Sequence, residues 1–162
     1  TSHLLNLGRR RIAFLGDTAA PEVQQRYEGY VEAHRRIGLT VDPALVVPAQ
    51  FEISYAESAV DGLIGRCVTF DGIFAAGDLI ALGAIRSLLK TGRKIPEEVA
   101  VIGYDNIQLS AYTHPSLTTI SQDMGKAGRL MVSKLLSATE SSPMRSERLP
   151  TELIVRESCG LV

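Results

Sequence analysis

The chain has 162 residues, 45% apolar and 22% charged, with 17 Lys and Arg against 18 Asp and Glu. That balance predicts one ordinary soluble globular domain, long enough to bury about 68–70% of the surface its unfolded form exposes; it excludes disorder and any need for a disulfide or metal staple. A net charge of −1 leaves no basic excess for phosphate binding, and no apolar run approaches the about 20 residues that span a bilayer, so neither nucleic-acid binding by this stretch nor a membrane partner is expected.

In chain order, Leu4, Leu5 and Leu7 resemble the last turns of a helix closed by Gly8. The chain opens on Thr1 without Met and reads as part of something longer. Its first apolar stretch is too short for a secretory signal, which points to a cytoplasmic location. Continuous apolar runs predict strands at residues 12–15, 45–47, 72–76 and 99–103, of the kind covered on both faces. Between them, helical periodicity predicts helices at 22–37, 54–66 and 79–91. The first has Pro21 at its start and Gly38 at its end, and the third ends at Gly92. This alternation is that of βα units around a parallel sheet, an α/β, Rossmann-like three-layer αβα fold. Residues 105–115 read as an irregular loop and 117–120 as a short extended connector. Residues 124–136 form an amphipathic helix, 139–147 a Ser-rich loop and 149–155 a last strand, which puts a boundary near Ile120.

In open α/β sheets, ligands bind outside the carboxyl ends of the strands, so the residues after each strand are the candidates. They are Gly16 and Asp17 with Arg26 a turn into the helix, Gln50 and Phe51, Asp78, and Asp105. A guanidinium, carboxylates and an aromatic face suit a small polyhydroxylated or polar ring, by charge-assisted hydrogen bonds and stacking. Each has a plainer alternative. Asp78 would cap the helix that follows, Asp105 would make an Asx-turn, Arg26 would be solvated, and Phe51 would be packing. His3, His34 and His114 are scattered, and Cys67 and Cys159 lie far apart outside any CxxC pair, so free thiols, no metal and no cofactor are expected. GxSxG, HExxH, GxxxxGK[ST] and GxGxxG patterns are missing, and the GLIG at Gly62 to Gly65 lies inside a helical pattern. Binding is expected, not catalysis.

The segments LLNLGRRRIAFLG, QQRYEGYVEAHRRIGL, DGIFAAGDLIALGAIRSLLKTGRKIPEEVAVIGYDN, HPSLTTISQDMGKAGRLMVSKLL and LPTELIVRES, in that order, resemble the C-terminal half of regulators of the lac repressor/galactose repressor family. The resemblance covers essentially the whole chain. It implies one lobe of a periplasmic-binding-protein-like domain in a dimeric transcription factor, whose effector is a sugar or a nucleoside-like molecule. Operator DNA would be bound only through an N-terminal helix-turn-helix domain outside this chain. Residues 1–120 would be the C-terminal lobe. Residues 121–148 would be a crossover and a helix that packs on the other lobe, and 149–162 a return strand and tail. Arg26, Phe51 and Asp105 fall on effector-contacting positions, Glu22 on one that varies with specificity, and Asp78 on the aspartate of an Ala-Asn-Asp pattern in which Gly77 replaces Asn. Leu82, Ile85, Leu109 and Tyr112 fall in the dimer region. A solute-binding component of a transporter shares this lobe, and an α/β enzyme acting on a sugar or nucleoside is a third reading.

Overall fold

The structure is a computed structural model that describes residues 1–137 and 146–160. Most of the predicted Ser-rich loop lies outside the described residues. The elements are α1 (Ser2–Asn6), β1 (Ile12–Leu15), α2 (Pro21–Arg36), β2 (Val46–Val47), α3 (Ile53–Gly65), β3 (Gly72–Ala75), α4 (Asp78–Lys90), β4 (Ala100–Tyr104), β5 (Thr118–Gln122), α5 (Met124–Ser137) and β6 (Thr151–Ile154). Single 3-10 turns occur at Pro43–Leu45, Gln108–Ala111 and Glu157–Cys159.

The described strands form one sheet in the order β2-β1-β3-β4-β5-β6. The first five are parallel, and β6 runs antiparallel to β5. Every residue of β1 and β3 is buried, which is why these strands read as unbroken apolar runs. Helices α3 and α4 pack together on one face. They come close together at Gly83, where a Cβ would lie 2.7 Å from the Ala56 Cβ and would strike the Ile53 carbonyl. On the other face, α2 begins with Pro21 at its first turn, buries Val23, Tyr30, Ala33 and His34, and is followed by Gly38 at φ 74°. The Tyr30 hydroxyl donates to the Ile12 carbonyl at 2.8 Å, pinning α2 over β1. Burial of that phenol pushes its pKa above the usual tyrosine range.

One expectation changes. The connector at 117–120 is a full strand of the sheet, paired through Ile102↔Thr118 with β4 and through Thr119↔Ile154 and Gln122↔Thr151 with β6. Its threonines lower its apolar content but not its burial, because each finds a partner. The Thr118 hydroxyl accepts from the Arg156 amide at 2.8 Å, and the Thr119 hydroxyl donates to Asp78 at 2.6 Å. The strand also runs unbroken past Ile120. The helix α5 forms as its periodicity predicts, and, as expected of a helix that packs on another lobe, it buries none of its side chains, leaving Met124, Met131, Val132, Leu135 and Leu136 exposed.

Candidate effector site

Three of the candidate side chains meet where the strands end. Arg26, on the second turn of α2, lays its guanidinium over the Tyr104 ring at 3.8 Å from the centroid. It donates to the Ala76 carbonyl and stands 3.6 Å from Asp105 Oδ1. The same Asp105 oxygen accepts from Gln122 Nε2 at 3.0 Å. Asp105 is therefore aimed into the crevice by side-chain partners, not closed on its own backbone in an Asx-turn. Phe51, 41% exposed, lies beside them and is not core packing.

Gly77 holds this group together by having no side chain. A Cβ there would sit 2.5 Å from the Phe51 ring and 3.5 Å from Asp105 Oδ2. Glycine at this position lets the Phe51 ring lie against the β3–α4 turn. Glu22, one turn before Arg26 on the exposed side of α2, stands at the rim. The crevice wall offers a cationic donor, an anionic acceptor, an amide and an aromatic face within one ligand's reach, a set that can orient a ring bearing hydroxyl groups.

Asp78 does not join this wall. The cap of α4 is Gly77, and Asp78 is the first helical residue, 1% exposed, with both carboxylate oxygens taken inside the protein. Oδ1 accepts from the Thr119 hydroxyl at 2.6 Å and Oδ2 from the Ile107 amide at 2.9 Å. Burial raises its pKa above the usual aspartate range, opposed by those two hydrogen bonds. Neither the expected cap nor the expected effector contact describes it. The predicted dimer set divides in a similar way. Leu82 and Ile85 are 9% and 4% exposed, held in the α4 core, whereas Leu109 and Tyr112 are 50% and 77% exposed. The first two have little surface to offer a partner, because the face of α4 that carries them is the one that packs inward.

A groove of about 580 Å³ shares Glu22, Arg26, Tyr104 and Gln122 with the crevice and then runs between α2 and the sheet. Its floor is Phe74, Ile102, Ile120 and Leu153, an apolar sheet face, while Glu22, Arg26 and Gln122 line it where it meets the strand-end crevice. Among the described residues, no three His, Cys, Asp or Glu side chains are grouped to hold a metal, and no helix is long and apolar enough to cross a membrane.

Sequence reasoning missed Tyr104, Gln122, Arg156 and Glu157. Reading 117–120 as a connector removed β5 from the list of strand ends, and with it Gln122, which ends that strand. Arg156 and Glu157 lie in the return segment, whose importance rests on contacts with residues about forty positions earlier. Glu157 accepts from the Ser116 amide at 2.7 Å and its hydroxyl at 2.9 Å, and these bonds hold its carboxyl below the ordinary glutamate value of 4.5. A carboxyl whose pKa is lowered by folding adds stability that is fully present above 4.5 and is lost as pH falls through the folded value. Glu157→Gln is therefore expected to lower the melting temperature at pH 7, with the gap from the parent closing as pH falls below 4.5. Calorimetric scans from neutral to acid pH check this, and a gap that stays constant with pH would refute it.

A family described as a periplasmic binding protein-like domain matches residues 1–159. The Ribose operon repressor of Halalkalibacterium halodurans is 34% identical over 161 residues, covering 98% of this chain and 48% of that protein. Among solved structures, the transcriptional regulator CelR in complex with cellobiose superposes with a TM-score of 0.89 at 34% identity, over 97% of this chain and 49% of that one. A sugar-binding transcriptional regulator of the LacI family from Escherichia coli, complexed with phosphate, superposes with a TM-score of 0.88 at 27% identity, over 97% and 57% of the two chains. The chain spans about half the length of the curated relatives it matches. By its match over residues 1–159 and its likeness in sequence and structure to these regulators, the chain belongs to the periplasmic binding protein-like domain family, in the form found in LacI-type transcriptional regulators.

Proposed function

We propose that this chain is the effector-binding and dimerisation part of a cytoplasmic DNA-binding transcriptional regulator, and that its effector is a sugar or a nucleoside-like molecule. The observation that carries the reading is the meeting of Arg26, Asp105, Gln122 and Phe51 at the ends of strands far apart in sequence. Arg26 donates to a ligand oxygen, Asp105 accepts from a hydroxyl pair, and Phe51 covers one face of the ring. No member of the group is paired with a base or nucleophile in the manner of a catalytic triad, which favours binding over turnover. Operator contacts would come from a region outside these residues, since the net charge of −1 gives this stretch no phosphate-tracking surface. The exposed Leu109 and Tyr112 offer the apolar anchor of a two-fold interface, and the bare apolar side of α5 suits packing against a second lobe.

The test is calorimetric titration of the full-length protein with D-ribose, cellobiose and adenosine, with sedimentation of the same samples. Binding of one ligand at micromolar affinity, about −8 kcal/mol, by a species of twice the monomer mass is the expected result. A monomer that binds none of these classes would overturn the reading.

A further inference from the structure

The candidate site depends on an unusual piece of backbone. Asp105 and Asn106 are consecutive non-glycine residues at φ 103° and 48°, both in the left-handed region that L side chains disfavour. Two buried or half-buried charges stand on either side of this turn. Asp78, from the start of α4, takes the Ile107 amide on Oδ2 and the Thr119 hydroxyl on Oδ1. Gly103 leaves it room, since a Cβ there would strike Asp78 Oδ1. Arg156, just beyond β6, donates to Asn106 Oδ1 at 2.9 Å, to the Ser110 hydroxyl at 3.1 Å and to the Leu117 carbonyl at 2.6 Å. The turn is closed onto β5 as well, because the Asn106 amide reaches the Thr119 hydroxyl at 3.3 Å and the Asp105 amide donates to the Ile120 carbonyl at 2.8 Å.

We propose that Asp78 is a positioning residue of the effector site: with Thr119 and Arg156 it holds the left-handed Asp105–Asn106 turn that delivers the Asp105 carboxylate to the crevice, and it touches no effector itself. The inference rests on the effector-site reading above. A buried carboxylate with no other task is costly, and here each of its oxygens restrains a group within two residues of Asp105 or on the strand behind it. The charged groups it faces are Asp105 and Arg156. Arg156 offsets part of the repulsion between the two carboxylates.

The experiment has a ligand-free arm and an effector arm, both on the full-length protein. In the first, amide hydrogen exchange is followed in Asp78→Ala, Asp78→Asn, Thr119→Val and Thr119→Ser. The Ile107 and Asn106 amides are expected to exchange at least about tenfold faster in Asp78→Ala and Thr119→Val, while those of β1 and β3 keep their protection. Asn and Ser retain an acceptor and a hydroxyl, and should restore most of it. Unchanged exchange at Ile107 in Asp78→Ala, or an equal increase across the whole sheet, would overturn the proposal. In the second arm, with D-ribose, cellobiose and adenosine as probes, Asp78→Ala should weaken binding about tenfold in the parent but add nothing in an Asp105→Ala background. Equal losses in both backgrounds would mean that Asp78 acts without Asp105, and the proposal would fall. If Asp105→Ala itself binds like the parent, the effector-site reading fails, and the exchange arm still decides whether Asp78 holds the turn.

Discussion

Asp105→Ala is expected to weaken effector binding by about 2–3 kcal/mol, or roughly 30- to 150-fold, in the full-length protein. Removing a charged side chain that hydrogen-bonds a ligand in a desolvated site commonly costs about 2–5 kcal/mol of affinity. Here the Asp105 side chain remains 34% exposed and that of Arg26 14%, which places the expected loss in the lower part of that range. Folding should change little. The Arg26–Asp105 contact at 3.6 Å is long and partly solvated, and such pairs contribute about 0–1 kcal/mol to stability. Arg26→Ala should lose comparable affinity but more stability, because it also removes the stack on Tyr104 and the bond to the Ala76 carbonyl. Calorimetric titration beside thermal melts separates these effects, and unchanged affinity in both variants would place the effector elsewhere.

Phe14→Ala should cost about 3–5 kcal/mol of stability, the largest effect expected of any change discussed. Phe14 is fully buried in β1 and is ringed by Tyr27 at 5.3 Å, Tyr30 at 5.5 Å and Phe74 at 5.6 Å between centroids. Its neighbours are fixed independently, Tyr30 by its hydroxyl bond to Ile12 and Phe74 by the β3 ladder, so they cannot collapse into the space left. At this chain length the loss corresponds to a drop of about 6–20 °C in melting temperature. Urea unfolding of the variant measures it, and a loss below about 1 kcal/mol would show that the aromatic cluster refills the cavity. Affinity per folded molecule should stay near the parent value, since Phe14 is absent from the crevice wall.

The positions of β1, β3 and β4 and of α2, α3 and α4 were legible in the sequence to within a residue or two. Their signals are local: an unbroken apolar run marks a strand buried on both faces, and Pro21, Gly38 and Gly92 mark helix ends. That Arg26, Phe51 and Asp105 stand together at the strand ends was legible as well, because their placement needs only those strand positions.

What the sequence by itself determined, then, was the alternation of elements, the sheet they build and the side chains that reach its carboxyl edge. The tertiary structure alone decided what each polar residue does. Asp78, read as a cap or an effector contact, became a buried brace because Thr119 and Ile107 arrive from 41 and 29 residues away. Leu82 and Ile85, apolar enough for an interface, turned inward against the core. β5 became a strand because its threonines found partners in Asp78, Ser158 and Arg156. The physical reason is common to all three. Apolar periodicity is written by neighbours along the chain, whereas a hydroxyl, a carboxylate or a half-apolar helix face is satisfied by whatever the fold brings against it, and that is settled only when distant segments meet.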